Sequence, residues 1–159
     1  MKRIFLPLLI VLGTTTAVLA ADVIQEYSNV PVPPSVSLDE SGIWGAISYS
    51  ESDGKYGFFW GADKRDEADS IAQKHCENNK GTSCSVVTTF RNHRHWNDND
   101  GTGFPYNHCA ALALAADKNA SYSVWGASSA ETRKDTEAEA IQQCESKGAS
   151  CKIKEWVCT

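Results

Sequence analysis

Much of the chemistry a chain of this size can carry lacks its residues here. Basic side chains are scarce, with 15 Lys and Arg against 20 Asp and Glu. An acidic surface repels phosphate backbones, which argues against nucleic acid and anionic lipid as partners. No Ser/His/Asp order, phosphate-cradling glycine loop or zinc-protease motif occurs. The cysteines never fall at the Cys-x2-Cys or Cys-x4-Cys spacing of a zinc site. The apolar run from Ile4 to Leu12, broken by Pro7, is about half of the ~20 residues that a membrane span needs.

That run belongs instead to a secretory signal pattern. Lys2 and Arg3 form its charged start, and Val18 and Ala20 place compact residues before a cleavage site. Residues 1–20 are therefore expected to be a signal peptide, with cleavage after Ala20 and Ala21 as the near alternative. No cysteine follows that site, so a lipid anchor is not expected, and the short Lys-Arg start suits a bacterial signal. Cleavage leaves 139 residues, the size of one domain. Losing Lys2 and Arg3 moves the net charge from −5 to −7. The expected location is periplasmic or secreted.

What the chain has in quantity is cysteine. Cys76, Cys84, Cys109, Cys144, Cys151 and Cys158 all follow the signal, and an even count in an exported chain reads as a disulfide framework. Residues 21–42 are polar and proline-bearing, an extended or disordered leader. The ordered part, 43–159, can be laid over itself. Trp60-Gly61-Ala62 matches Trp125-Gly126-Ala127, Ile47 and Tyr49 match Leu112 and Leu114, and the turn Asp53-Gly54 matches Lys118-Asn119. A helical stretch into Cys76 or Cys144 follows, then Lys80 to Cys84 or Lys147 to Cys151, then a β-type run ending each unit. The fold expected is α+β: two repeated strand-strand-helix-strand units, 43–90 and 109–158, joined by an inserted loop at 91–108 and forming one small disulfide-stabilised domain.

Within each unit the alternating apolar residues bury one face of the first strand. Gly54 and Asn119 are expected to supply positive φ for tight hairpins. Ser128-x-x-Glu131 reads as a capping box, with Asp63 and Asp66 as a weaker one. The helical stripes are thin, Ala68, Ile71, Ala72 and Cys76 in one and Ala138, Ile141 and Cys144 in the other, with Gly81 and Gly148 at the exits. Cysteine at the same places in both halves pairs Cys76 with Cys84 and Cys144 with Cys151, which leaves Cys109 for Cys158.

At Trp44-Gly45-Ala46-Ile47-Ser48-Tyr49-Ser50, Tyr56 to Gly61, Asn107-His108-Cys109-Ala110-Ala111-Leu112-Ala113, Trp125-Gly126 and Trp156-Val157-Cys158, the sequence resembles the bacterial domain-of-unknown-function family 4189. The resemblance covers Ile43 to Cys158 and implies a small exported protein, with no activity or catalytic residue to carry over. It departs from the family pattern between Arg91 and His108.

That insertion holds three of the four histidines, His93, His95 and His108. On an extended segment His93 and His95 share a side and could bind a transition metal with His108, or act with Asp98 or Asp100 in acid–base catalysis. No carboxylate or thiolate matches them, and a solvated polar loop tolerates histidine freely. Asp98-Asn99-Asp100-Gly101-Thr102-Gly103 resembles the start of a calcium loop, but its twelfth position is Cys109 rather than Glu. No metal and no cofactor is expected. Trp44, Trp60, Trp125 and Trp156 read as core or sheet-face residues, whereas Trp96 stands alone in the polar loop. Beside Arg94, Asp98 and Asp100 it has the composition of a protein-binding hot spot, and it could equally be the loop's own anchor.

These features suit an exported non-enzymatic binding protein, such as an inhibitor or immunity protein against a basic exported toxin or hydrolase. A secreted factor acting on other cells and a metal-dependent or acid–base enzyme using the histidines are the alternatives. Intact-mass measurement of the exported protein should show a chain beginning at Ala21 with no thiol open to alkylation before reduction. A mass retaining residues 1–20 contradicts the signal assignment.

Overall fold

A glycine facing a helix sets the spacing of each half of the molecule. In the computed structural model, which describes residues 42–93 and 104–159, unit one comprises β1 (Ile43–Tyr49), β2 (Tyr56–Ala62), α1 (Arg65–Asn78) and β3 (Ser85–Asn92). Unit two comprises β4 (Cys109–Ala115), β5 (Trp125–Ala130), α2 (Arg133–Glu145) and β6 (Cys151–Cys158). Each forms an antiparallel three-stranded sheet with its first strand central, ordered β2-β1-β3 and β5-β4-β6. No helix among the described residues is long and apolar enough to cross a membrane.

The central strands are buried on both faces, not on the one face that alternation alone suggests. Ile47, Tyr49, Phe90, Ala110, Leu112, Ala127 and Val157, drawn from both sheets, make one shared core. The opposite face of β1 packs Trp44 and Ala46 against Ala68 and Ala72 of α1, and Ala111 and Ala113 of β4 pack against Ala140 and Cys144 of α2. The layers therefore run helix, sheet, sheet, helix. At the closest approach of strand and helix the facing residue is glycine. A Cβ on Gly57 would overlap the Cys76 amide and the Ala72 carbonyl, and one on Gly126 the Ala140 carbonyl and the Cys144 amide.

That contact also corrects how the two units align. Gly57 is the partner of Gly126, so Trp60-Gly61-Ala62 and Trp125-Gly126-Ala127 are four residues out of register despite their identity. Cross-strand pairs agree, since Ile47 faces Phe58 as Leu112 faces Ala127. Gly61 is a bulge residue at φ 91°, lying between Trp60, paired with Gly45, and Ala62, paired with Trp44. Periodicity could not show this, because the second hairpin is longer and shifts everything after it. The buried helical stripe is Ala68, Ala72, Cys76 and Thr136, Ala140, Cys144, with Ala138 exposed and both isoleucines half-buried.

Several local expectations give way similarly. Ser128 lies in β5, where strand pairing claims its backbone, and its hydroxyl donates to Glu139 Oε2 at 2.6 Å. The cap of α2 is Thr132, whose Oγ1 accepts from the Asp135 amide. In α1 the cap position falls to Lys64 rather than Asp63, and Asp66 and Glu67 place charge against the positive helix end. Gly54 has φ 70°, but the positive-φ residues described do not include Asn119, whose longer hairpin loop turns differently. At the exit of α1 it is Lys80, at φ 69°, that matches Gly148 at φ 87°. Gly81 is needed for another reason: a Cβ there would meet the sulfurs of both Cys76 and Cys84.

Disulfides join Cys76 to Cys84, Cys144 to Cys151 and Cys109 to Cys158. The first two tie each helix end to its closing strand, and the third clamps directly paired positions on β4 and β6. Each such closure stabilises by ~2–4 kcal/mol. Unit one has no cysteine at the corresponding clamp. Trp44 and Arg91, themselves directly paired, stand there instead, and β3 runs on through Arg91 and Asn92 into the segment that sequence alone reads as inserted loop. Arg91 is 1% exposed. Its guanidinium lies 4.0 Å from the Tyr106 ring centroid and 5.4 Å from that of Trp44, and its Nη2 donates to the Phe104 carbonyl at 2.6 Å.

The hairpins hold the two units together. Tyr49 Oη donates to the Tyr122 carbonyl at 2.9 Å, Trp125 Nε1 donates to Glu51 at 2.6 Å, and the Tyr122 ring occupies the space beside Gly54. Burial, reinforced by Glu51, pushes the Tyr49 phenol up to about 12, so it stays a donor. Asp53 accepts from the Thr82 amide and hydroxyl and from the Lys55 amide. A hydrogen bond from the Ser50 hydroxyl, followed by those from Thr82 and Lys55, lowers the Asp53 carboxyl from 3.8 to about 2.

Two outcomes follow. Gly57→Ala should destabilise by ~2 kcal/mol or more through overpacking, whereas Lys80→Gly should stabilise by up to ~1 kcal/mol by relieving a left-handed lysine. Denaturant melts check both, and a tolerated Gly57→Ala would refute the close-contact account. For Asp53 the folded pKa is depressed, so its contribution is complete above 3.8 and disappears as pH falls through about 2. Carboxyl-carbon NMR should place its midpoint there; an ordinary carboxylate midpoint would show that the Ser50–Thr82 network does not form.

Candidate functional site

The most exposed large apolar side chain described is Trp60, at 57%. It projects from β2, an edge strand carrying Tyr56-Gly57-Phe58-Phe59-Trp60 without a charge. Beside it runs the C-terminal end of α1, and between them lies an open groove of about 500 Å³, lined by Tyr56 to Trp60 and by His75, Asn78 and Asn79.

Helix geometry sets the polar wall. His75 comes one residue before Cys76, which the disulfide fixes, and its Nδ1 donates to the Phe58 carbonyl at 2.7 Å. Asn79, the residue ending α1, donates from Nδ2 to the Tyr56 carbonyl at 3.0 Å. The imidazole also meets Phe59 edge-on, with centroids 6.2 Å apart. These bonds orient both side chains and cover two carbonyls of the edge strand. A carbonyl can only accept, so in the neutral ring His75 carries its proton on Nδ1 and leaves Nε2 as an acceptor. Likewise Asn79 keeps Oδ1 open as an acceptor. The groove thus offers an indole plate, further aromatic surface and neutral acceptors, an arrangement that can bind but holds no nucleophile beside the imidazole.

The residues singled out from sequence lie elsewhere. Arg94, Trp96, Asp98 and Asp100, with His95, are outside the described residues. His93 stacks on Tyr106 with centroids 3.5 Å apart, and its Nδ1 has no hydrogen-bond partner among the described residues. The His108 carbonyl accepts from the Thr159 amide. Among the described residues no group of three or more His, Cys, Asp or Glu could hold a metal ion. Of the tryptophans assigned to core or sheet faces, Trp44 is buried. Trp125 lies under Lys147 Nζ, 4.5 Å from the ring, and Trp156, 39% exposed, carries Arg133 at 3.7 Å. Trp60 lies on the edge strand β2 at 57% exposure, a sheet-face residue rather than a core one. Phe58, Phe59, His75, Asn78 and Asn79 have no spacing that would reveal them. A signal did exist: once Gly57 is aligned with Gly126, the aromatics of one unit stand against small residues of the other.

A family model described as a domain of unknown function (DUF4189) matches residues 44–95 and 101–158, one repeat in each range. The chain belongs to that family. No curated protein matches it. Among solved structures, the NMR structure of Rv1813c from Mycobacterium tuberculosis is similar at 20% identity, covering 98% of this chain and 99% of that one, with a TM-score of 0.46.

Proposed function

We propose that the protein is an exported binding protein whose ligand seats in the groove between β2 and α1. Three disulfides suit an oxidising compartment, and the N-terminal signal pattern would deliver the chain there. The observation that carries the reading is Trp60, a large side chain left 57% exposed beside a preformed groove in a domain otherwise short of apolar surface to bury. Rigidity from the disulfides lowers the ordering cost of binding.

One observation favours a second reading, in which a basic protein partner meets Arg94, Trp96, Asp98 and Asp100. Described residues on both sides of that segment are clasped together, His93 against Tyr106 and Arg91 on the Phe104 carbonyl. A firm base of this kind suits a presented binding loop and an inhibitor or immunity role.

Immobilised protein exposed to the organism's envelope and secreted fractions separates the two. Wild type should retain a ligand that Trp60→Ser binds at least tenfold more weakly, about 1.4 kcal/mol, with an unchanged thermal midpoint. Equal retention by both overturns the groove reading, and loss in Trp96→Ala alone would establish the second.

A further inference from the structure

The groove is a difference between two copies of one scaffold, and that difference bears on its ligand. Equivalent cross-strand pairs place Phe58, Phe59 and Trp60 against Ala127, Ser128 and Ser129. On the helices, Ala72 and Cys76 correspond to Ala140 and Cys144, which sets His75 against Gln143 and Asn79 against Lys147. Unit two builds the same sheet and helix with the small set. Phe58 and Phe59 pack partly against the core, whereas Trp60 stays 57% exposed and is not demanded by packing. In unit two Lys147 closes over Trp125 and donates to the Ser123 carbonyl. In unit one the same corner stays open and aromatic.

Three properties of the opening select a class of ligand. Its lining carries no formally charged side chain, Lys154 standing over the Tyr56 ring at one end, so the lining itself offers a carboxylate, phosphate or ammonium no counter-charge. The Phe58 and Tyr56 carbonyls are already engaged by His75 and Asn79, so an added peptide strand would lose backbone partners at that stretch of the edge. The same bonds leave His75 Nε2 and Asn79 Oδ1 as acceptors, which call for a ligand rich in donors. A flat C–H face with hydroxyls around its rim meets all three conditions.

Resting on the groove reading above, we infer that the ligand is an uncharged sugar. A pyranose ring stacks on the Trp60 indole, and its hydroxyls donate to His75 Nε2 and Asn79 Oδ1. A groove of about 500 Å³ falls within the ~300–1,000 Å³ of small-ligand sites.

The test is a titration of the oxidised, exported protein followed by amide and indole NMR. The probes are neutral oligosaccharides of glucose, mannose, galactose and N-acetylglucosamine, with an uncharged aromatic peptide as a separate arm. At least one sugar should shift the Trp60 indole and the His75 and Asn79 signals in a saturable way. Trp60→Ser should weaken that binding at least tenfold and His75→Gln several-fold. Both variants carry the residue that unit two already tolerates at the equivalent place, and unchanged thermal midpoints would show that they fold. Saturable shifts with the peptide and none with any sugar would overturn the sugar assignment while leaving the groove as a binding site. No shift with either class would overturn both.

Discussion

Everything in this molecule is arranged around how closely a helix can lie on a three-stranded sheet. Gly57 and Gly126 leave out a side chain that would meet helix backbone, and Ala68, Ala72, Thr136 and Ala140 let the helix settle. Close approach gives dense contact but little apolar area, so such a helix stays marginal by burial alone. Covalent closure answers this. Cys76 and Cys144 belong to the same buried stripe that touches the sheet, and each is bonded to a cysteine at or just before the start of the strand that follows its helix.

The shared core between the sheets then joins two units that could not each bury their apolar faces alone. Duplication explains the common framework, and the places where the copies differ are where further properties reside. The strand clamp is covalent in unit two, at Cys109 and Cys158, and aromatic-cationic in unit one, at Trp44 and Arg91. Burying a guanidinium is costly unless it is solvated by the protein. Stacking on Tyr106 and the bond to the Phe104 carbonyl supply that solvation and gather the chain on either side of the connection between units. The groove is the second divergence. An exposed tryptophan costs solubility and adds little to folding, and its presence on one copy alone makes packing a poor explanation for it.

Duplication, the α+β class and the cysteine framework are all legible in the sequence, because each is written in spacing: cysteines recur at matched intervals and apolar residues alternate along strands. Spacing is also where that legibility stops. Identical Trp-Gly-Ala tripeptides align by letter, yet they are four residues apart in space, since a longer hairpin in unit two moves the strand that follows. The Ser128 cap failed for a related reason: local side-chain chemistry suggests a helix start, but pairing with Ala111 commits that backbone to a strand.

By itself the sequence determined the number of units and their order, the cysteine framework and which elements each unit contains, because these depend on local composition and on repetition along the chain. Only the tertiary structure decided that β2 is an edge, that its aromatic run lies beside the end of α1, and that His75 and Asn79 bond its carbonyls. Those facts depend on which strand has a neighbour and on where a helix ends relative to it. Such relations join residues far apart in sequence, such as Phe58 and His75, and no periodicity along the chain encodes them.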